Sequence, residues 1–149
     1  MAHLEMSVSD PYSPEIPDVP PVGRHTVLRW AEATDGANEA CLVVDASAFI
    51  AAASVSACAL LGFASPEAAI GQCLYAGVLP LVDFTSAAAA VPDVELNRIP
   101  PVQALLSEHL ARGLMRVRQG SDIITVDAVS TPLWEAHRVV GSLTFFCLV

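Results

Sequence analysis

The spacing of apolar positions divides the chain into an unpatterned leader, one helix, a pair of strands, a block of short helices and a strand-rich last third. Residues 1–22 hold Pro11, Pro14, Pro17, Pro20 and Pro21 among Ser and Asp, which blocks helix and predicts an extended leader. Thr26 can cap a short helix in which Val27, Trp30, Ala31 and Thr34 share a face and Asp35-Gly36 ends the run. Residues 40–45 (A-C-L-V-V-D) and 49–53 read as two strands joined by Ala46-Ser47-Ala48. Ser54 then caps a helix ending at Gly62, and Ser65-Pro66-Glu67 opens a second, short one that ends at Gly71. Residues 78–84 are apolar but broken by Pro80, and lead into an Ala run without clear pattern. Pro100-Pro101 opens the best helical stripe, Val102, Leu105, Leu106, His109 and Leu110, with Gly113 as its stop. Beyond it, residues 114–118 alternate, Gly120-Ser121-Asp122 turns the chain into 123–130, residues 134–138 turn it again, and 139–149 runs apolar on both faces.

Strands, helices and then a meander of strands imply an α+β domain built on one antiparallel sheet. We expect a Pro-rich leader over 1–22, a flanking helix over 23–38 and the domain proper over 39–149. The chain's 149 residues suit one core. Apolar residues make up 54% and charged residues only 15%, against about 25% in ordinary soluble domains, so part of the surface is expected to be covered by a partner. Seven Arg, no Lys and sixteen carboxylates give −9, which repels phosphate backbones and argues against nucleic-acid binding. Residues 46–66 carry no charge, but Ala and Ser dominate and no Lys or Arg flanks them, so they read as buried strand plus helix and not a membrane span. No export signal opens the chain, and a cytoplasmic location is expected.

Catalytic chemistry finds little support. His3, His25, His109 and His137 are scattered, the glycines stand singly, and no nucleophile elbow, zinc-binding helix or phosphate loop occurs. Cys41, Cys58, Cys73 and Cys147 are too far apart for a metal knuckle and read as buried thiols. Arg116 and Arg118, two apart on a strand, are candidates for an anion contact. Asp127, inside an otherwise apolar strand, is expected to answer one of them across the hairpin.

Several short motifs in order resemble the PAS domain family. Residues 40–50, then Ala57-Cys58-Ala59-Leu60-Leu61-Gly62-Phe63, Ser65-Pro66-Glu67 and Ile70-Gly71 resemble its first half. Gly120-Ser121, residues 123–129, Thr131-Pro132-Leu133 and Val139-Val140-Gly141 resemble its closing strands. The resemblance implies a five-stranded antiparallel sheet flanked by helices, a small internal cavity and a bacterial-type sensory or dimerising role. Leu60, Leu61, Ile70, Leu74, Leu106, Leu110, Met115, Val117 and Phe145 are the residues expected to surround or fill that cavity. Haem on His109 is disfavoured, because related haem ligands stand about two turns earlier on the helix. Flavin near Cys73 is disfavoured too, because the amide side chains that hold it in relatives are missing from the last strands. No cofactor is therefore expected. The function implied is a non-catalytic sensory module that takes a small apolar ligand or a signalling partner. The alternative is a dimerisation domain with a filled core. A homodimer is expected, with Trp30, Val27, Val140, Phe146 and Leu148 at its interface, since the last strand is apolar on both faces.

Overall fold

A computed structural model describes residues 24–84 and 93–149. The Pro-rich leader and most of the Ala run after Phe84 lie outside the described residues. The elements follow in the order α1 (Arg24–Asp35), β1 (Ala40–Asp45), β2 (Ile50–Ala53), α2 (Val55–Leu61), α3 (Pro66–Ala69), β3 (Leu81–Val82), α4 (Pro100–Ser107), β4 (Ala111–Gln119), β5 (Asp122–Glu135) and β6 (Arg138–Leu148), with 3-10 turns at Leu74–Ala76 and Asp93–Arg98. Local chemistry sets the helix starts. Ser54 Oγ accepts from the Ala57 and Cys41 amides at 3.2 and 3.0 Å and donates to the Glu39 carbonyl at 2.7 Å, tying α2 to β1 through one hydroxyl. Ser65 caps α3 in the same way through the Ala68 amide, with Pro66 at its first position.

The strands form one antiparallel sheet in the order β2-β1-β6-β5-β4-β3. Five were expected. The sixth, β3, is two residues long and pairs only Leu81 with Val117 and Val82 with Arg116. The short helices cover the inner face of the sheet, where Leu42, Val44, Leu61, Leu74, Val102 and Val126 meet in the main core. α1 crosses part of the outer face, where Val27 closes a smaller cluster with Cys41, Val43, Leu133 and Leu143. Trp30, expected to share a face of this helix with Val27, is 43% exposed.

The helix expected to run from Pro100 to Gly113 stops at Ser107. Glu108 takes a left-handed φ of 59° and closes the last turn on the Ala104 carbonyl. Ser107 Oγ accepts from the His109 amide, an alternative that draws backbone away from the helix. Strand pairing then begins at Ala111 opposite Ser130, so Gly113 lies inside β4. Leu106 and Leu110, apolar on the helical reading, are 60% and 66% exposed.

β5 and β6 pair continuously from the hairpin turn onward, with one irregularity. Leu133 opposes Gly141 while Trp134 opposes Val139, leaving Val140 as the extra residue of a β-bulge. The turn itself is Ala136-His137, with φ of 47° and 68°, the conformation that favours Asn-Gly. Replacing Ala136-His137 by Asn-Gly is expected to stabilise the fold by about 1–2 kcal/mol, because it relieves two left-handed non-glycine residues. The check is a raised urea midpoint at unchanged slope; a lowered midpoint would mean that the native side chains hold the turn by other contacts.

Candidate functional site

The inner face of the sheet holds some of the expected cavity residues and rejects others. Leu61, Leu74, Met115 and Val117 are buried in the main core, and Leu60 packs against it half-buried. Ile70, Leu106, Leu110 and Phe145 are exposed and line no cavity with them. Ile70 has already left α3 as its C-cap, and Leu106 and Leu110 lost their helical face when α4 ended early. Phe145 and Phe146 exchange the faces expected of them: Phe146 enters the main core, while Phe145 is 45% exposed. Buried hydroxyls explain the exchange. Ser142 Oγ donates to the Pro101 carbonyl at 2.8 Å, and Ser130 and Thr144 share a 2.6 Å hydrogen bond, all with no exposed surface. Their polar needs are met inside, so these residues occupy the inner face beside Phe146.

Of the residues expected at a dimer interface, Val27, Val140 and Phe146 are buried within the chain itself. Val27 and Val140 belong to the cluster under α1, because the bulge turns Val140 onto the same face as Leu143. Trp30 and Leu148 remain exposed.

A cleft of about 370 Å³ opens where β3 ends. Its walls are Leu81–Phe84 side chains and backbone, Glu95, Arg98, Ile99 and Pro100 from the approach to α4, and residues 113–116 of β4. That volume lies at the lower end of small-molecule sites. The cleft exists because β3 covers only part of the edge of β4. The Arg118 amide donates to the Pro80 carbonyl at 2.8 Å, and pairing ends at Val82 opposite Arg116. By antiparallel alternation Leu114 directs its N–H and C=O to this same edge, past the last residue of β3.

The two expected anion contacts separate here. Arg116 lines the cleft; its Nη1 donates to the Asp83 carbonyl at 2.9 Å and its guanidinium lies 5.6 Å from the Phe84 ring centre. Arg118 does not line it. Across the cleft, Arg98 and Glu95 form a 3.5 Å pair whose side chains are 79% and 42% exposed, a contact that contributes little.

Asp127 answers neither Arg116 nor Arg118 but Arg112, whose Nε lies 3.2 Å from both carboxylate oxygens. The register places Asp127 opposite Leu114, so Arg112 reaches it diagonally across the strand pair. The hydrogen bond from Arg112 is the leading cause that holds the Asp127 carboxyl below the usual carboxylate range. Its folded value being depressed, the pair's contribution is present above the ordinary carboxylate value and fades as pH falls through the lower folded value. Asp127→Asn is therefore expected to flatten the acid limb of the melting curve slightly and to leave neutral stability little changed. Melts of both proteins between neutral pH and about pH 3 check this; identical acid limbs would exclude the pair as a contributor.

No family model matches the chain, and no curated protein sequence matches it. Solved structures do. The PAS domain of a protein from Colwellia psychrerythraea aligns with a TM-score of 0.57 at 22% identity, over 83% of this chain and 96% of that one. The fold is that of a PAS domain. The PAS domain of BvgS from Bordetella pertussis aligns at 0.54 and 9% identity, over 83% of this chain and 84% of that one. VqmA of Vibrio cholerae aligns at 0.60 and 14% identity over 82% of this chain, which spans about half (51%) of the VqmA chain. Beyond the five strands expected, β3 is a sixth at the edge of the sheet, and the cleft lies beside it.

A light-oxygen-voltage domain, studied with a flavin analogue, also aligns at 0.58. The residues here do not fit such a group. Cys73 sits at an isolated bridge to Phe49, with its thiol 3.8 Å from the Ser47 carbonyl, and the inner strands offer hydroxyls already paired with one another. His109 fits haem no better: it lies beyond α4, exposed, with Nδ1 2.6 Å from the Ser107 carbonyl oxygen. Cys41 and Cys58 are buried as expected, whereas Cys73 is half-buried and Cys147 exposed. Burial pushes the Cys58 thiol up, with Glu67 adding to it, so this thiol stays protonated and inert. Among the described residues no group of three or more His, Cys, Asp or Glu is placed to hold a metal, and no helix is long and apolar enough to cross a membrane.

Proposed function

We propose that this chain is a cytoplasmic sensory PAS module that acts without catalysis, taking a small ligand and signalling as a homodimer or through a partner protein. The cleft beside β3 is the observation that carries the ligand part of this reading, since it offers apolar walls and a half-buried cation on a PAS frame. The net charge of −9 speaks against nucleic acid as the partner. A cofactor has no suitable seat on Cys73 or His109, so the purified protein should be colourless.

The dimer part rests on the outer face of the sheet. α1 covers the β1 side of it, and beyond the edge of that helix Phe145 and Leu114 stand 45% and 52% exposed. In register, Phe145 neighbours Cys41, which α1 buries, so the exposed patch continues directly from the covered one. Trp30 stands 43% exposed on α1. A second copy would cover both. Trp30→Ala and Phe145→Asp should each leave the melting temperature within a few degrees and shift the protein toward monomer. Light scattering at tens of micromolar tests this; a monomeric wild type would overturn the dimer. Native mass spectrometry of freshly purified protein separates the two readings of the module. A bound small mass supports sensing, and a bare chain that still dimerises supports the alternative of a pure interaction domain.

A further inference from the structure

We propose that the cleft at the end of β3 receives an amphipathic monoanion, a carboxylate carried on a short apolar chain, with Arg116 and the Leu114 amide as its headgroup contacts. This deepens the ligand-sensing reading above and rests on it.

The floor of the cleft is apolar, made by Leu81, Ile99, Pro100 and Met115. Two acids, Glu95 and Asp83, share its walls. Glu95 is taken by Arg98, and Asp83 meets Arg116 through its main-chain carbonyl. Among the described residues no carboxylate pairs with Arg116, in a chain whose acids outnumber its bases sixteen to seven. One of the five N–H donors of this guanidinium is spent on the carbonyl, and the Phe84 ring stacks beside it. Its plane is therefore set in advance, while among the described residues its other donors have no hydrogen-bond partner, which suits a bidentate acceptor such as a carboxylate. The Leu114 N–H, turned to the same edge beyond the end of β3, supplies a further donor from rigid backbone. The weak Arg98–Glu95 pair is the variable part: an arriving anion repels Glu95 and attracts Arg98.

Octanoate and octan-1-ol serve as probes, because they share a chain and differ in charge. Titration followed by backbone amide NMR should shift residues 81–84 and 113–116 with both, and octanoate should bind at least tenfold tighter. Arg116→Gln should remove that preference while leaving octanol binding unchanged, which also shows that the variant folds. Glu95→Gln, a change at a partly exposed side chain, should tighten octanoate two- to threefold and leave octanol alone. Equal affinities for the two probes would overturn the anion site while keeping a ligand cleft. Shifts confined to the interior between the sheet and α4 would overturn the cleft and leave ligand sensing standing. No shift with either probe would overturn the cleft proposal, whereas failure of ligand sensing itself reads out separately as the absence of any bound mass in the native spectrum.

Discussion

Gly141→Ala is expected to lower stability by about 3 kcal/mol or more, the upper part of the range for forcing an extra carbon into a packed interior. An ideal Cβ at this position would lie far inside contact distance of the Val44 carbonyl oxygen and 3.0 Å from Val27 Cγ2. The first contact is with the backbone of β1 near its end, where Gly141 stands opposite Asp45, so no side-chain rotation relieves it. Relief requires β1 and β6 to part, at the cost of ladder hydrogen bonds; lifting α1 from the sheet would clear only the Val27 contact. Val27→Ala removes the second clash only, and the double variant should melt close to Gly141→Ala. For a domain of this size, a loss of that order lowers the melting temperature by roughly 10 °C. A variant that melts with the wild type would mean that the two strands do not approach so closely.

Leu74→Ala is expected to cost about 3–5 kcal/mol, whereas Leu106→Ala should cost less than about 0.5 kcal/mol. Both residues are leucines that the PAS resemblance sends to the same cavity, so the contrast tests the structure and not the chemistry of the side chain. Leu74 has no exposed surface, and its amide donates to the Ala48 carbonyl at 2.9 Å, fixing the 3-10 turn against the β1–β2 connection. Truncation leaves a void that a backbone held in this way cannot collapse to fill. Leu106 is 60% exposed on the outer side of α4. Urea unfolding of the two variants decides the matter; comparable losses would put Leu106 back into a core.

The features that could be read from sequence are those set by neighbours in the chain. Ser54 and Ser65 announce their helices because the capping bond closes within three residues, and Gly120 marks its hairpin for a similar reason. The same local logic misplaced the end of α4. There the competition between helix and strand is decided by pairing of Ala111 with Ser130, nineteen residues on. Alternation along β6 separated Phe145 from Phe146 but did not say which faced inward, since the clue lay in Ser142 and Thr144, polar residues whose partners come from α4 and β5. The bulge at Val140 reset the count again. The cleft was invisible altogether: it depends on how far a two-residue strand extends along β4, which no local pattern encodes.

The bond between Ser142 and Pro101 has a mechanical consequence. It fastens the first turn of α4 to the sheet at a point fully shielded from water, and breaking it would strand a buried hydroxyl and a buried carbonyl. Sliding of α4 along β6 is thereby opposed, because every sliding step breaks this bond. Swinging about it is opposed as well, because Val102 and Ala104 have no exposed surface and strand pairing resumes at Ala111 opposite Ser130. The helix, about 12 Å long, is thus pinned at its first turn and seated along one side, with Glu108 and His109 exposed at its end. Ile99 and Pro100, which wall the cleft, sit immediately beside the pinned turn. That wall of the cleft is therefore held in place by a hydroxyl buried on the sheet.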